Sequence, residues 1–261
     1  MKAIILAAGM GTRLGEYTRD LPKCMLSFNG QTLLQRQIDL LRKGGLEEIV
    51  VVRGYMAEKI NILGVKYYLS RDYDKSNMVE TLFCAEEELN GEVLVCYGDI
   101  IYEERTLKTV LGGSADIGVV VDEDYRDYWC ARLDDPNSDT ESLVVEGGRI
   151  VDFGSPNCAL DQARFRYVGM IKFSLIGVDA LKEAYHRNRD LYFNSDSPWK
   201  RSKSFRKAYM TCMLQELIDK GYEVTPLVIR RGWLEFDNVS DYERYIKWIS
   251  EGSISRFCRI D

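Results

Sequence analysis

Features that would place the chain among membrane, nucleic-acid-binding or metal-cluster proteins are scarce in its 261 residues. No stretch approaches the roughly 18 consecutive apolar residues that cross a membrane, so we expect no membrane span. The 35 lysines and arginines are outnumbered by 41 aspartates and glutamates, and the net charge of −6 argues against nucleic acid as a partner. No two of the seven cysteines are separated by two residues, which favours reduced, buried thiols over disulfides or a metal site.

We also expect no targeting segment, because the sequence begins directly with an apolar run. We therefore expect no signal peptide and a cytoplasmic location. The run, Ala3–Ala8, predicts a buried strand that opens into Gly9-Met10-Gly11-Thr12-Arg13. A loop with so little side-chain bulk lets backbone N–H groups approach an anion or a base, and Arg13 and Lys23 supply positive charge. These features suit a nucleoside triphosphate, and a tight strand-to-loop turn is the alternative.

Two common phosphate-binding motifs do not account for this loop. The acidic ribose partner of a dinucleotide site is not evident, and no Gly-Lys-Ser or Gly-Lys-Thr follows. Leu6–Leu14 with Leu21-Pro22-Lys23 resembles the signature of the nucleotidyltransferases that make nucleotide-activated sugars and alcohols. The resemblance extends over nearly the whole chain through Lys75–Val79, Cys96–Ile100, Arg166–Phe173 and Trp233–Asp237. The later segments are most similar to the phosphocholine and 2-aminoethylphosphonate cytidylyltransferases.

Strands and helices alternate through the first half of the chain. Apolar runs predict strands at residues 3–8, 48–53, 66–69, 93–97 and 117–121. Helical periods predict helices at Gln31–Gly44 and Asn77–Leu89, the second with a capping box of Asn77 and Glu80. This rhythm predicts a three-layer α/β/α fold with a mostly parallel mixed sheet, and the resemblance implies the Rossmann-like nucleotide-diphospho-sugar transferase fold. We expect one domain over residues 1–261, with a nucleotide-binding half at 1–121 and an acceptor-binding half at 122–261.

The second half is less regular. We expect a hairpin around Gly147-Gly148, strands at residues 167–173, 223–229 and 234–236, and helices at residues 180–186, 209–220 and 240–250. The segment Arg187–Lys207 carries seven basic and two acidic residues. Two interpretations stay open for this segment: a solvated, mobile loop, or a lid over phosphates.

Asp99 and Asp237 are the best candidates for a metal-binding pair. Each ends a predicted strand, and carboxylates at strand ends face the ligand crevice of an α/β sheet. Mg2+ prefers one or two carboxylates together with phosphate oxygens and waters. By resemblance, both residues match the magnesium-binding aspartates of the family. From the pattern alone, Asp237 has a competing interpretation as the cap of the helix that follows.

The resemblance implies transfer of CMP from CTP, in which an acceptor phosphate or phosphonate oxygen attacks the α-phosphorus and pyrophosphate leaves. The acceptor is largely ionised near neutral pH, since the second pKa of a phosphate monoester is about 6. No general base is required, and the single histidine, His186, is expected to be a bystander. We expect Arg13 on the β- and γ-phosphates and Lys23 near the reacting phosphates. The expected nucleotide-binding residues are Leu6, Ala7, Ala8, Gly9, Gly11, Thr12, Ser76, Asn77 and Gly98; helix capping is the alternative role for Ser76 and Asn77.

The acceptor site is predicted from a segment that mixes carboxylates with aromatic side chains, Asp122–Arg132. Acidic groups and aromatic faces suit an ammonium or quaternary ammonium head, and an arginine suits a carboxylate or phosphate. The expected acceptor-binding residues are Asp122, Trp129, Arg132, Glu141, Tyr167 and Lys172. Trp129 packed beneath an exposed acidic loop is the alternative. Sugar nucleotidyltransferases often carry a lysine where this chain has Asp152-Phe153-Gly154, and its absence favours a small amine over a hexose phosphate.

These features favour a Mg2+-dependent cytidylyltransferase for surface-polymer decoration, acting on a small phosphorylated or phosphonylated amine such as phosphocholine, aminoethylphosphonate or a phospho-amino acid. The nearest alternative is a sugar-1-phosphate nucleotidyltransferase that uses UTP, GTP or dTTP. A non-catalytic nucleotide-binding regulator is disfavoured because a sensor needs no paired metal carboxylates. A GT-A glycosyltransferase is disfavoured because no Asp-X-Asp ends the Val93–Tyr97 strand. The oligomeric state is open, with a homodimer as one arrangement.

Overall fold

A central seven-stranded sheet organises the protein, whose computed structural model describes residues 1–156, 158–160 and 163–260. The strands are β1 (Lys2–Ala7), β2 (Ser27–Phe28), β3 (Gln31–Thr32), β4 (Ile49–Arg53), β5 (Lys66–Leu69), β6 (Val93–Tyr97), β7 (Ile100–Tyr102), β8 (Ile117–Asp122), β9 (Glu141–Glu146), β10 (Arg149–Pro156), β11 (Arg166–Phe173), β12 (Thr225–Ile229) and β13 (Trp233–Glu235). The helices are α1 (Leu33–Lys43), α2 (Met78–Phe83), α3 (Glu104–Gly112), α4 (Arg126–Arg132), α5 (Leu175–Tyr192), α6 (Met210–Asp219) and α7 (Val239–Ser250). Short 3-10 helices lie at Thr12–Thr18, Lys23–Met25, Ala57–Lys59, Glu86–Glu88, Phe205–Lys207 and Ile254–Arg256.

The strands of the central sheet follow the order β12-β8-β11-β6-β1-β4-β5. Neighbouring strands are parallel except at β11, which lies antiparallel between β8 and β6. The predicted mostly parallel mixed sheet is therefore confirmed. The uninterrupted apolar run of β1 fits its place between β4 and β6, because a strand covered on both faces needs apolar side chains on both.

Alternate side chains of each strand enter two separate cores, one on each face of the sheet. On β1, Ile5 joins the core that holds Ile38 of α1, whereas Ile4 joins the core that holds Val79 and Leu82 of α2. All of these side chains are fully buried, and burying one contributes about 1.5–3 kcal/mol. Helices cover both faces of the sheet, so the predicted three-layer arrangement is also confirmed.

The carboxyl ends of β1 and β6 lie side by side and position the residues that follow them. Leu6 is in register with Tyr97, and the N–H of Gly98 donates to the carbonyl of Leu6 at 2.9 Å. A Cβ atom on Gly98 would lie 2.8 Å from that carbonyl oxygen, so only glycine allows this approach without movement of the backbone. Asp99 is thereby held beside the loop that leaves β1.

Two predicted helices differ from the observed ones. The helix expected at Asn77–Leu89 ends at Phe83, and the predicted capping box is wrong. Asn77 Oδ1 accepts from the N–H of Met78, while the Glu80 carboxylate accepts from the hydroxyl of Tyr185 at 3.0 Å. Glu80 thus bonds to Tyr185 of α5 instead of to the backbone N–H of Asn77. The helix expected at residues 180–186 is longer: Ser174 caps its start, and the helix continues to Tyr192.

The basic segment Arg187–Lys207 begins within α5 and is anchored in the core, so the interpretation as a solvated loop is wrong. Trp199 and Phe205 are buried, and Trp199 Nε1 donates to Asn188 Oδ1 at 3.1 Å. Four of the segment's seven cations pair with carboxylates elsewhere in the chain: Arg187 with Glu216, Lys200 with Glu216 and Asp219, Arg201 with Asp152, and Arg206 with Asp72.

The cysteines are free thiols, as expected, but three are not buried, since Cys158 is only partly buried and two others are exposed. Cys84 and Cys130 are exposed, whereas burial raises the pKa of Cys24 and Cys96 to about 12 and keeps those thiols protonated. Among the described residues, no helix is both long and apolar enough to cross a membrane.

Candidate active site

The loop after β1 brings Lys23 close to the strand ends. Gly11 has the left-handed φ of 65°, and a Cβ atom there would lie 2.8 Å from the Cβ of Lys23. The hydroxyl of Thr18 donates to the Gly11 carbonyl at 2.8 Å and closes the turn. Glycine at this position therefore allows the chain to return and place Lys23 against the loop.

A first pocket lies where β1 and β6 end. Most of the residues that line it are small or apolar, and the charged Lys23 and Asp99 are also present: Leu6, Ala7, Ala8, Gly9, Lys23, Cys24, Tyr73, Ser76, Asn77, Met78, Thr81, Tyr97, Gly98 and Asp99. Seven of the nine residues predicted to bind a nucleotide are among them. Gly11 and Thr12 instead form the start of the 3-10 helix at Thr12–Thr18, outside the pocket lining. Tyr73, Met78 and Thr81 were missed by sequence reasoning.

Lys23 joins Asp99 and Asp237, two residues far apart in the sequence. Its Nζ lies 2.6 Å from Asp99 Oδ2 and 3.0 Å from Asp237 Oδ1, and the side chains of all three are largely buried. Arg13 Nη2, from a side chain that is largely exposed, reaches the same Asp237 oxygen at 2.9 Å. The structure therefore brings together the four residues predicted to perform catalysis and bind metal.

The charges of this cluster stabilise one another. Burial lowers the pKa of the Lys23 ammonium, but the carboxylates of Asp99 and Asp237 outweigh burial and raise the pKa above its ordinary value. Burial likewise raises the pKa of Asp237, but Lys23, Arg13 and Arg132 outweigh it and hold this pKa below its ordinary value. Lys23 and Asp237 are therefore both charged at neutral pH.

The donor set fits a divalent cation. Asp99 Oδ1 is buried and has no hydrogen-bond partner among the described residues, and Asp99 Oδ2 and Asp237 Oδ1 converge on one point, the Lys23 Nζ. Asp237 also belongs to a second group of carboxylates, with Asp139 and Glu235, whose oxygens lie within 4.8 Å of one another. Hard cations prefer such oxygen ligands.

A second pocket adjoins the first across Met78, Tyr97 and Asp99, which line both. The other residues of its wall are Arg13, Asp139, Glu141, Ser142, Leu143, Phe153, Arg166, Tyr167, Val168, Gly169, Tyr209, Thr211, Glu235 and Asp237. Both signs of charge are present: carboxylates at Asp139, Glu141 and Glu235, and guanidinium groups at Arg13 and Arg166. Burial raises the pKa of Glu141, and burial together with Asp237 raises that of Glu235.

Two of the six predicted acceptor-binding residues, Glu141 and Tyr167, line the second pocket. Lys172 does not: it pairs in register with Leu94 and Gly118 at the amino ends of β6 and β8, and its Nζ donates to the carbonyl of Gly113. Lys172 thus lies at the amino ends of these neighbouring strands, opposite to the carboxyl ends of β1 and β6 where the first pocket is found. The expectation that it contacts the acceptor is corrected accordingly.

Asp122 and Trp129 are fully buried, so direct acceptor contact is corrected to a supporting position for both. Asp122 accepts from Trp233 Nε1 at 2.8 Å and from two backbone N–H groups. Trp129 Nε1 donates to the carbonyl of Asp139 at 3.0 Å, and the guanidinium carbon of Arg166 lies 4.2 Å from its ring centroid. Trp129 is therefore buried, as its alternative interpretation predicted, but it lies on α4 beneath the second pocket rather than under an exposed acidic loop.

Arg132 is also buried, and it contacts carboxylates of the protein. It forms two hydrogen bonds with Asp241, at 2.8 and 2.9 Å, and one with Glu235 at 2.9 Å. The expected acceptor contact of Arg132 is corrected for this reason. Asp241 was missed because nothing in its local sequence distinguishes it from an ordinary residue in the first turn of a helix.

The chain is similar to known proteins over most of its length. Residues 3–232 match the MobA-like NTP transferase domain. The CTP:phosphoglutamine cytidylyltransferase of Campylobacter jejuni is 32% identical over 259 residues, which are 95% of this chain and 100% of that enzyme. The choline-phosphate cytidylyltransferase of Streptococcus pneumoniae is 35% identical over 99 residues, which are 36% of this chain and 43% of that enzyme.

The fold agrees with this assignment. The structure of the CTP:phosphocholine cytidylyltransferase from Streptococcus pneumoniae aligns with a TM-score of 0.73 over 95% of this chain and 98% of that chain, at 21% identity. The sequence matches, rather than the shared fold, confirm the resemblance found in the sequence, including its similarity to the cytidylyltransferase branch. Since the family match spans most of its length, the chain belongs to the MobA-like NTP transferase family and is a nucleotidyltransferase.

Proposed function

We propose that the protein transfers CMP from CTP to a small phosphorylated or phosphonylated amine, with release of pyrophosphate and dependence on Mg2+. The single observation that carries the proposal is the junction of two pockets at Lys23, Asp99 and Asp237. One pocket has the small, apolar wall of a nucleotide site, and the other has charges of both signs. The reaction requires two anions to meet at such a junction.

The first pocket suits the nucleotide. Its backbone groups at Ala7, Ala8 and Gly9 lie at the end of β1, where a base and ribose can approach closely. Ser76 and Asn77 lie on the wall and offer polar groups to the edge of a pyrimidine. Asn77 also caps α2 through Oδ1, so its amide nitrogen is the group left for a ligand.

The chemistry asks for charge stabilisation rather than a general base. An oxygen of the acceptor attacks the α-phosphorus of CTP, and the bond to the pyrophosphate oxygen breaks. Lys23 and Arg13 lie at the junction and stabilise the negative charge that develops on the phosphates. Mg2+, which Asp99 and Asp237 would hold, acts as a Lewis acid toward phosphate oxygens when bound.

The second pocket suits an acceptor that carries a positive charge as well as a phosphate or phosphonate. Glu141 and Asp139 offer carboxylates to an ammonium group, while Arg13 lies toward the junction. Arg166, held by Asp139 at 2.9 and 3.3 Å, offers charge to a carboxylate. The Campylobacter relative, named for phosphoglutamine, matches along 95% of this chain, and this supports a phospho-amino acid ahead of phosphocholine or aminoethylphosphonate.

A screen of pyrophosphate release tests the proposal. The purified protein is offered each of CTP, UTP, GTP and dTTP with Mg2+, against phosphoglutamine, phosphocholine, phosphoethanolamine, 2-aminoethylphosphonate and hexose-1-phosphates. We expect turnover with CTP and an amine, and its loss when EDTA removes the metal. Preferred turnover of a hexose-1-phosphate with UTP, GTP or dTTP would support the sugar alternative, and nucleotide binding without any pyrophosphate release would support the regulator.

A further inference from the structure

We propose that Arg132 and Asp241 form a buried positioning pair that fixes the direction of the Asp237 carboxylate at the junction of the two pockets. Neither residue lines either of the two pockets. The inference rests on the proposed function, because it assigns Asp237 to the metal and the reacting phosphates.

The two side chains face each other in a bidentate arrangement. Arg132 Nε lies 2.9 Å from Asp241 Oδ1, and Arg132 Nη2 lies 2.8 Å from Asp241 Oδ2. Arg132 is 1% exposed and Asp241 is 0% exposed, so water does not compete for either group. A planar guanidinium held at two points by a carboxylate has little freedom to rotate.

The pair contacts Asp237 in two ways. Asp241 Oδ2 accepts from the backbone N–H of Asp237 at 2.8 Å, which fixes the main chain of that residue. Arg132 Nη2 lies 3.5 Å from Asp237 Oδ2, while Asp237 Oδ1 accepts hydrogen bonds from Lys23 Nζ and Arg13 Nη2. The two carboxylate oxygens of Asp237 therefore have different partners, and one oxygen is directed to the junction.

Capping of α7 alone does not account for this arrangement. Asp241 completes a capping box with Asn238, a role that the neutral side chain of glutamine also performs at this position of other helices. Burying an arginine and three neighbouring carboxylates, Asp241, Glu235 and Asp237, gains little stability over apolar packing. The same charges give Asp237 a fixed direction, and Arg132 also helps to lower its pKa.

Asp241→Asn tests the pair. The asparagine oxygen can still accept from the backbone of Asp237 and Asn238, but the charge and one of the two contacts to Arg132 are lost. We expect the affinity for Mn2+, measured on the protein alone by electron paramagnetic resonance, to fall about tenfold. Turnover should fall with it, at an acceptor KM that is little changed. Arg132→Lys keeps the positive charge but not the fork, and should give a smaller loss in the same direction.

Arg244→Met is the matched control. Arg244 also joins α7 to the region of α4, through the carbonyl of Ala131 and the carboxylate of Asp134, but has no contact with Asp237. This variant should keep wild-type affinity for Mn2+. In the double variant Asp237→Asn/Asp241→Asn, the second change should cost nothing further, because its effect acts through Asp237.

Folded Asp241→Asn with wild-type Mn2+ affinity would overturn the inference. So would an equal loss of Mn2+ affinity when Asp241→Asn is introduced into the wild type and into Asp237→Asn. If Asp241→Asn does not fold, wild-type Mn2+ affinity in Arg132→Lys overturns it in the same way. The proposed function fails separately: a protein that releases no pyrophosphate but still loses Mn2+ affinity on Asp241→Asn would keep the positioning pair and lose the cytidylyltransferase.

Discussion

The two pockets that meet at Asp99 are built from different parts of the chain. Half of the residues that line the first come from two short stretches, residues 6–9 and 97–99, where parallel strands end side by side. The second is formed by side chains from β9, β10, β11, α6, β13 and the loop at Asp139. Backbone sites suit groups common to many substrates, whereas side chains select among them. Changes at the junction should therefore impair turnover with every acceptor, and changes in the second pocket should alter acceptor choice.

Asp99→Asn should have the largest effect. It keeps the size of the side chain but removes the charge beside Lys23, and with it a ligand that Mg2+ prefers. We expect turnover to fall by about a hundredfold or more with every acceptor, measured as pyrophosphate release over a Mg2+ titration. Asp190→Asn, on the exposed side of α5, is the control. Near wild-type turnover of folded Asp99→Asn at limiting Mg2+ would remove Asp99 from the metal site.

Lys23→Met should have the second-largest effect on turnover. Lys23 Nζ lies within 3.0 Å of both junction aspartates, so its charge is held where the phosphates react. We expect kcat to fall by about a hundredfold while the KM for CTP changes little, because the charge is needed most in the transition state. Lys108→Met, an exposed lysine on α3, is the control. A higher KM for CTP with an unchanged kcat would instead assign Lys23 to ground-state binding.

The first pocket was largely predictable, and the reason is its local origin. A strand, a glycine loop and the residue that ends the next strand are each visible as short sequence patterns, and topology then brings parallel strand ends together. Five of the seven predicted nucleotide-binding residues that line this pocket, Leu6 to Gly9 and Gly98, come from these patterns, whereas Ser76 and Asn77 were predicted from the start of a helix. Tyr73 and Thr81 were not predictable, because no local pattern shows which face of a turn or helix borders a pocket.

The second pocket was largely unpredictable, because tertiary packing decides which side chains reach it. Trp129 and Glu141 both come from segments that suit an ammonium ion by composition, but only Glu141 lines the pocket. The sequence predicts that Asp122 and Arg132 offer their charges to a ligand. In the structure, Asp122 instead accepts a hydrogen bond from Trp233, and Arg132 donates to Asp241, in the interior. Helix α5 was underestimated for a related reason: its polar end is stabilised by Glu216 of α6, a partner distant in the sequence.

Glu141→Gln should test acceptor choice with a smaller effect. If the Glu141 carboxylate binds an ammonium group, its removal should raise the KM of amine acceptors about tenfold and leave the KM for CTP nearly unchanged. Glu146→Gln, an exposed glutamate at the other end of β9, is a matched control and should change neither. Equal losses for charged and charge-neutral acceptors would indicate that Glu141 shapes the pocket without binding the cation.

The pH dependence of acceptor KM should show the smallest effect and the most specific one. The Glu141 side chain is exposed at the surface of the pocket, yet the partial loss of solvent around it raises the pKa of its carboxylate, although Arg166 opposes the shift, so protonation begins at a higher pH than for an ordinary glutamate. Only the ionised carboxylate attracts an ammonium group, and this contribution is lost as the pH falls through the raised pKa.

The acceptor phosphate also titrates near pH 6, but equally for both forms of the protein, so the ratio of KM values between Glu141→Gln and wild type isolates Glu141. That ratio should be about ten at neutral pH and decline toward one as the pH falls, because protonated glutamate and glutamine are both neutral. A ratio that stays constant across the titration would show that the side chain acts by size or hydrogen bonding alone, and the distinction between a general first pocket and a charge-selective second pocket would then have to rest on Asp139 and Arg166.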